Sequence, residues 1–155
     1  MGFTFRAALE NDLPVVAAIV EAAYVHYIPI LGGRKPRPMM DDHGARIAHG
    51  GTFLLEDDGR PVAVASMHPE GDAMHIFNIA VHPDAQGQGH LRRVLDFAEE
   101  RARAAGAVRL TLYTNALMER NRAIYPHMGF IEVRQEDAPG GYRIVYFERL
   151  LADAS

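Results

Sequence analysis

The sequence predicts a mixed α/β fold, a mostly antiparallel central sheet with one parallel strand pair, flanked by helices. Three observations carry this. Three strand-like segments follow one another between Thr52 and Val81, and the first two are joined by the turn signal Asp57-Asp58-Gly59, as in an antiparallel meander. The third is followed by an amphipathic helix and a further strand, a crossover that is right-handed and parallel. The chain has 155 residues, 48% apolar and 23% charged, enough to build a sizeable core and expected to form one domain over 1–155.

Phe3 to Leu9 alternates weakly and reads as the first strand. Asn11 or Asp12 can cap the next helix, and Pro14 is tolerated in a first turn. Val16, Ile19, Val20, Ala23 and Tyr27 recur at helical spacing until Pro29 stops the run. Ile30 to Met40 mixes glycines, prolines and basic residues and reads as a loop, while Met39 to His49 can form a short helix before Gly50-Gly51. Strands are expected at Thr52–Glu56, Arg60–His68 and Met74–Val81. From Gly89 to Ala105, Leu91, Val94, Leu95, Ala98, Ala102 and Ala105 share one helical face, and Gly106 sits where a helix C-cap belongs. Val108–Thr114 is a strand. Leu117–Met128 is helical, with Pro126 in its last turn, and Phe130–Arg134 and Tyr142–Arg149 close the chain as strands.

Composition narrows the function classes. The net charge is −4, which argues against a nucleic-acid binder. The chain has no cysteine, so disulfides, thiolate metal sites and a cysteine nucleophile are excluded, and a reducing, cytoplasmic setting is favoured. No apolar run follows a basic start and none is long enough to span a bilayer, so neither a signal peptide nor a membrane anchor is expected. No histidine pair has the spacing and companion carboxylate of a zinc site, so no metal is expected.

The most informative stretch is Val81-His82-Pro83-Asp84-Ala85-Gln86-Gly87-Gln88-Gly89-His90-Leu91, leading into Arg92-Arg93-Val94-Leu95. A strand ends at a proline, a glycine-bearing loop follows, and a helix begins. That order aims backbone N–H groups and a helix N-terminus at one point, which suits an anion and above all a phosphate. A dinucleotide fold fits less well. It needs glycine or alanine at the position of Arg92, and its loop opens the domain, whereas here four strands come first. Arg92 and Arg93 either add charge to this site or lie on a solvated helix face.

These residues resemble the acetyl-coenzyme A binding motif of the GNAT family of N-acetyltransferases. Gln86, Gly87, Gln88 and Gly89 match the motif, while Leu91 stands where that family usually has glycine or alanine. The resemblance continues through Leu112-Tyr113-Thr114-Asn115, Met118, Asn121, Tyr125 and Met128-Gly129-Phe130. It implies the GNAT fold, in which the parallel strand pair splays apart and the backbone of Ile79 and Val81 bonds the pantetheine amides. It also implies an acetyl-CoA-dependent transferase acting by direct attack of a small-molecule or peptide amine. A non-catalytic acetyl-CoA-binding sensor or structural module of the same fold is the alternative, and propionyl- or succinyl-coenzyme A is an alternative donor. Family members often dimerise, which leaves a homodimer open.

The resemblance gives Tyr125 the role of acid toward the departing sulfur; otherwise it is a core tyrosine with its hydroxyl at the rim. His75 lies about eleven residues before Gln86, where the family often carries a base, and a side chain with a reference pKa of about 6.5 suits a proton acceptor. Strict alternation puts His75, Phe77, Ile79 and Val81 on one face, and a histidine at the sheet surface is the other reading. Asn121 matches an asparagine that holds the pantetheine arm or a phosphate in one branch of the family. His82, His90 and His127 are expected at the surface near the loop. On the acceptor side, Arg34, Lys35 and Arg37 could attract an anionic substrate, or Asp41 and Asp42 an ammonium.

Overall fold

In the computed structural model, which describes residues 2–151, seven strands form one sheet in the order β1-β2-β3-β4-β5-β7-β6. The strands are β1 (Phe3–Ala7), β2 (Thr52–Asp57), β3 (Arg60–Glu70), β4 (Ala73–Val81), β5 (Arg109–Asn115), β6 (Ile131–Ala138) and β7 (Tyr142–Leu150). Every neighbouring pair is antiparallel except β4 and β5. The helices are α1 (Leu13–Tyr24), α2 (His43–Ala48), α3 (His90–Ala104) and α4 (Glu119–His127). This is the GNAT arrangement expected from the resemblance.

Two apolar layers hold the sheet. Val16, Ile19 and Val20 of α1 pack with Leu54, Val64 and Ala80 on one side. Val94, Leu95 and Ala98 of α3 pack with Leu55, Ala63, Leu110 and Phe147 on the other. Burying a side chain such as Leu110, which is fully enclosed, contributes roughly 1.5–3 kcal/mol. The α3 stripe read from the sequence is the stripe that packs.

Local chemistry explains the departures. Asp12 does not cap α1 with its side chain; its carboxylate accepts from Leu9 N–H at 2.7 Å and pairs with Arg6 at 2.7 Å. The helix expected from Met39 is shorter: Pro36 and Pro38 favour a 3-10 turn over Arg37–Met40, and α2 starts after Asp42, whose carboxylate accepts from Ala45 N–H at 2.9 Å. Pro126 lies inside α4 without breaking it, because the helix ends one residue later and the Tyr125 carbonyl accepts from both Met128 and Phe130. β6 runs on to Ala138, paired throughout with β7.

β4 is the strand that positions the site. Ser66 faces Asn78 across β3, but Met67 faces Ile76, so Phe77 is an extra residue and forms a β-bulge. A bulge bends its strand and raises its twist. β4 pairs with β5 only from Ala73↔Arg109 to Ile76↔Leu112, after which the strands part. The bulge also reverses which side chain faces which layer. Met74, Ile76 and Ile79 lie in the α3 layer while Ala80 lies in the α1 layer. Strict alternation therefore fails here, and His75 does not share a face with Ile79 and Val81.

The loop after α1 is fastened to the far end of the chain. Arg34 Nε donates to Gly140 O at 2.8 Å, and the Tyr142 hydroxyl donates to Lys35 O at 2.7 Å.

Candidate active site

The loop between β4 and α3 forms an open cradle. Gly87 and Gly89 hold φ of 78° and 81°, left-handed values that side chains other than glycine adopt at a cost. Among the described residues, no backbone N–H from Gly87 to Arg92 donates to a protein acceptor; the first helical bond runs from Arg93 N–H to Gly89 O. These donors stand at the positive end of the α3 dipole. They open onto a groove that reaches from Gly87 and Arg92 to Tyr125. Leu91 is half-buried, packs against the α3 layer and lines the groove. It replaces the motif's small residue without removing a donor. Arg93 turns back instead, donating to Gln88 O at 2.6 Å and stacking over Phe3 at 3.9 Å. His90, expected at the surface, is 2% exposed, packed edge-on to Phe3 and beside Arg93. Burial, then the neighbouring Arg93, pushes its pKa down.

Where β4 leaves β5, its backbone is turned into the gap. His82 N–H donates to Val62 O on β3, so alternation turns Ala80 toward β3 and Ile79 and Val81 away from it. Side chains on the gap side bear this out. The buried Tyr24 hydroxyl donates to Ile79 O at 2.7 Å, and Gln86 Nε2 donates to Val81 O at 3.2 Å. Tyr24 was not among the residues singled out in the sequence; its helical spacing marks it only as core.

Tyr125 stands between the groove and a second cleft, lining both. Its ring packs against Phe130 and Phe147. Burial, then the nearby Tyr27, raises its pKa well above the phenol range, so it remains a proton donor at neutral pH. Asn121, one turn earlier on α4, also lines both cavities and donates to Thr114 Oγ1 at 3.3 Å.

The second cleft lies between the parted strands and the loop after α1, and shares Tyr24, Ile79, Asn121 and Tyr125 with the groove. His75 is 9% exposed and lies behind two of its walls, Phe77 and Tyr113, with ring centroids 4.7 and 5.7 Å away. Its Nδ1 lies 2.8 Å from Thr111 Oγ1. Burial lowers its pKa from the ordinary 6.5, against a smaller opposing pull from Glu70, so the ring is neutral at pH 7. Of the loop charges singled out in the sequence, Asp41 pairs with Arg46, Asp42 caps α2 and Arg34 binds the hairpin carbonyl, whereas Arg37 lines the cleft. Among the described residues no cluster of three or more His, Asp or Glu could hold a metal ion, and no helix is long and apolar enough to cross a membrane.

A family model described as the Acetyltransferase (GNAT) family matches residues 20–130. Mycothiol acetyltransferase of Beutenbergia cavernae is 38% identical over 84 residues, covering 52% of this chain but only 28% of that protein. The PaiA N-acetyltransferase of Thermoplasma acidophilum in complex with coenzyme A superposes with a TM-score of 0.76 at 13% identity, covering 97% of this chain and 100% of the other. The ribosomal-protein alanine N-acetyltransferase of Escherichia coli gives a TM-score of 0.74 at 22% identity, covering 99% of this chain and 97% of the other. At these identities the structural likeness is one of fold.

Proposed function

Because the chain belongs to the acetyltransferase (GNAT) family, we propose that it moves an acetyl group from acetyl-coenzyme A to a primary amine by direct attack. The observation that carries this reading is the run of unpaired N–H groups from Gly87 to Arg92, opening onto a groove that ends at Tyr125. A diphosphate suits that cradle because it accepts several main-chain hydrogen bonds at a helix N-terminus. Arg92, on the groove wall, adds a positive charge. Ile79 and Val81 bond the pantetheine amides much as an added strand would, and Asn121 flanks the arm.

The amine nitrogen attacks the thioester carbonyl carbon. A C–N bond forms, the C–S bond breaks and the sulfur leaves with the electron pair. The Tyr125 hydroxyl supplies a proton to that sulfur. The proton lost by the amine passes through water to His75, whose neutral ring lies behind Phe77 and Tyr113, and returns through solvent to Tyr125. The balance is amine plus acetyl thioester giving amide plus free thiol, with no enzyme nucleophile required.

Calorimetric titration with coenzyme A, combined with thiol release from acetyl-coenzyme A across an amine panel, tests the proposal. Saturable binding with amine-dependent thiol release is expected. Absence of binding overturns the cradle. Binding without release on any amine makes the protein a non-catalytic coenzyme module.

A further inference from the structure

Asn78 is 3% exposed, yet neither its Oδ1 nor its Nδ2 has a hydrogen-bond partner. It stands on the cleft wall directly after the Phe77 bulge, where β4 begins to diverge from β5. Its cross-strand neighbour Ser66 does not relieve it, because that hydroxyl pairs with Thr52 at 3.0 Å. Buried polar groups are normally satisfied, and an orphaned one is costly. Here an acceptor and a donor are orphaned together on the wall of the cleft.

A second observation is independent of the first. Arg37 is the single charged side chain lining this cleft among the described residues. Its guanidinium sits over the Tyr113 ring at 5.4 Å. Among the described residues Arg37 takes part in no ion pair, so its charge is free to meet a ligand. Among the described residues no carboxylate lines the cleft to hold a second ammonium.

We propose that the acetyl acceptor is a small primary amine that carries a carboxylate close to the amino group, as an amino acid does. The amine donates to Asn78 Oδ1, and the carboxylate accepts from Asn78 Nδ2 and from Arg37. A plain alkylamine satisfies only the oxygen of Asn78. A polyamine brings a further positive charge to a cleft whose one ionic side chain is already cationic. A guanidinium instead offers a carboxylate paired, charge-assisted bonds. The assignment rests on the acetyl-transfer reading and specifies its acceptor.

The test compares the common amino acids, their carboxamides and the corresponding alkylamines by thiol release from acetyl-coenzyme A. The best amino acid should exceed its own carboxamide in kcat/KM by about 10- to 100-fold, the range of a hydrogen bond to a charged group. Arg37→Gln, an exposed change, should erase that preference by raising KM for the amino acid. Asn78→Ala should reduce kcat/KM for the amino acid more than for the alkylamine. Carboxamides or alkylamines accepted as well as amino acids overturn the assignment but leave acetyl transfer standing. If no amine releases thiol, the transfer reading fails, and thermal shifts of the coenzyme-loaded protein with the same amino acids decide the subsite. A shift abolished by Arg37→Gln supports it, and no shift overturns it.

Discussion

The groove behind the Gly87–Arg92 cradle and the cleft beside Asn78 meet at Tyr125 but are built from different materials. The groove is largely main chain: the N–H groups of Gly87 to Arg92 and the outward-turned backbone of Ile79 and Val81. The cleft is side chain: Asn78, Tyr113 and Arg37, brought together from β4, β5 and the loop after α1. A backbone cradle survives changes in its side chains, as Leu91 shows, because the donors stay in place. A cleft of side chains changes its preference with each substitution. One scaffold can thus keep its donor while its acceptor varies.

Substitutions on either side of the junction test this division. Tyr125→Phe should have the largest effect, lowering kcat by about 10²- to 10⁴-fold, the usual worth of a positioned acid. Calorimetry should show coenzyme affinity nearly unchanged; comparable losses in both would make Tyr125 part of the groove wall and not the acid. His75→Gln comes next, with a loss of about 10- to 100-fold, at or below the low end for general-base catalysis because a water relays the proton. Burial favours the neutral imidazole, so its folded pKa lies below 6.5. Wild-type kcat/KM should therefore hold at neutral pH and fall only as acid protonates the ring below that value. The variant should lose this acidic limb, and an unchanged pH profile would assign the base elsewhere. Gly89→Ala should have the smallest effect. A Cβ at φ of 81° costs roughly 1–2 kcal/mol, weakening coenzyme affinity about 5- to 30-fold, with kcat at saturating donor preserved. If kcat falls with affinity, the cradle and the chemistry are not separable in the way the two materials imply.

The donor side was legible in the sequence for the same physical reason. A strand, a proline, paired glycines and an amphipathic helix are consecutive, so the chain order of Val81 to Leu95 already lays out the cradle. The meander and the crossover were legible as well, because each depends on local periodicity. The facing of His75 was not. Nothing in Met74–Val81 marks a bulge except a polar Asn78 within an apolar run, and one added residue reverses every later side chain. The burial of His90 and the Tyr24 bond to Ile79 depend on contacts with Phe3 and with β4 that are distant in sequence. The acceptor cleft combines residues 37, 78 and 113, which no short motif spans.

The two bonds that staple Lys35 and Arg34 to the β6–β7 turn link the first long loop to the last hairpin. A Cβ on Gly141 would come within 2.7 Å of Arg34 Nη2 and would push that anchor aside. Drift in Gly140, Gly141 or Tyr142 would therefore loosen Arg34 and Lys35, the near neighbours of Arg37, while leaving the Gly87–Arg92 loop as it is. On the proposed reading, the far hairpin works as a tuning peg for the acceptor.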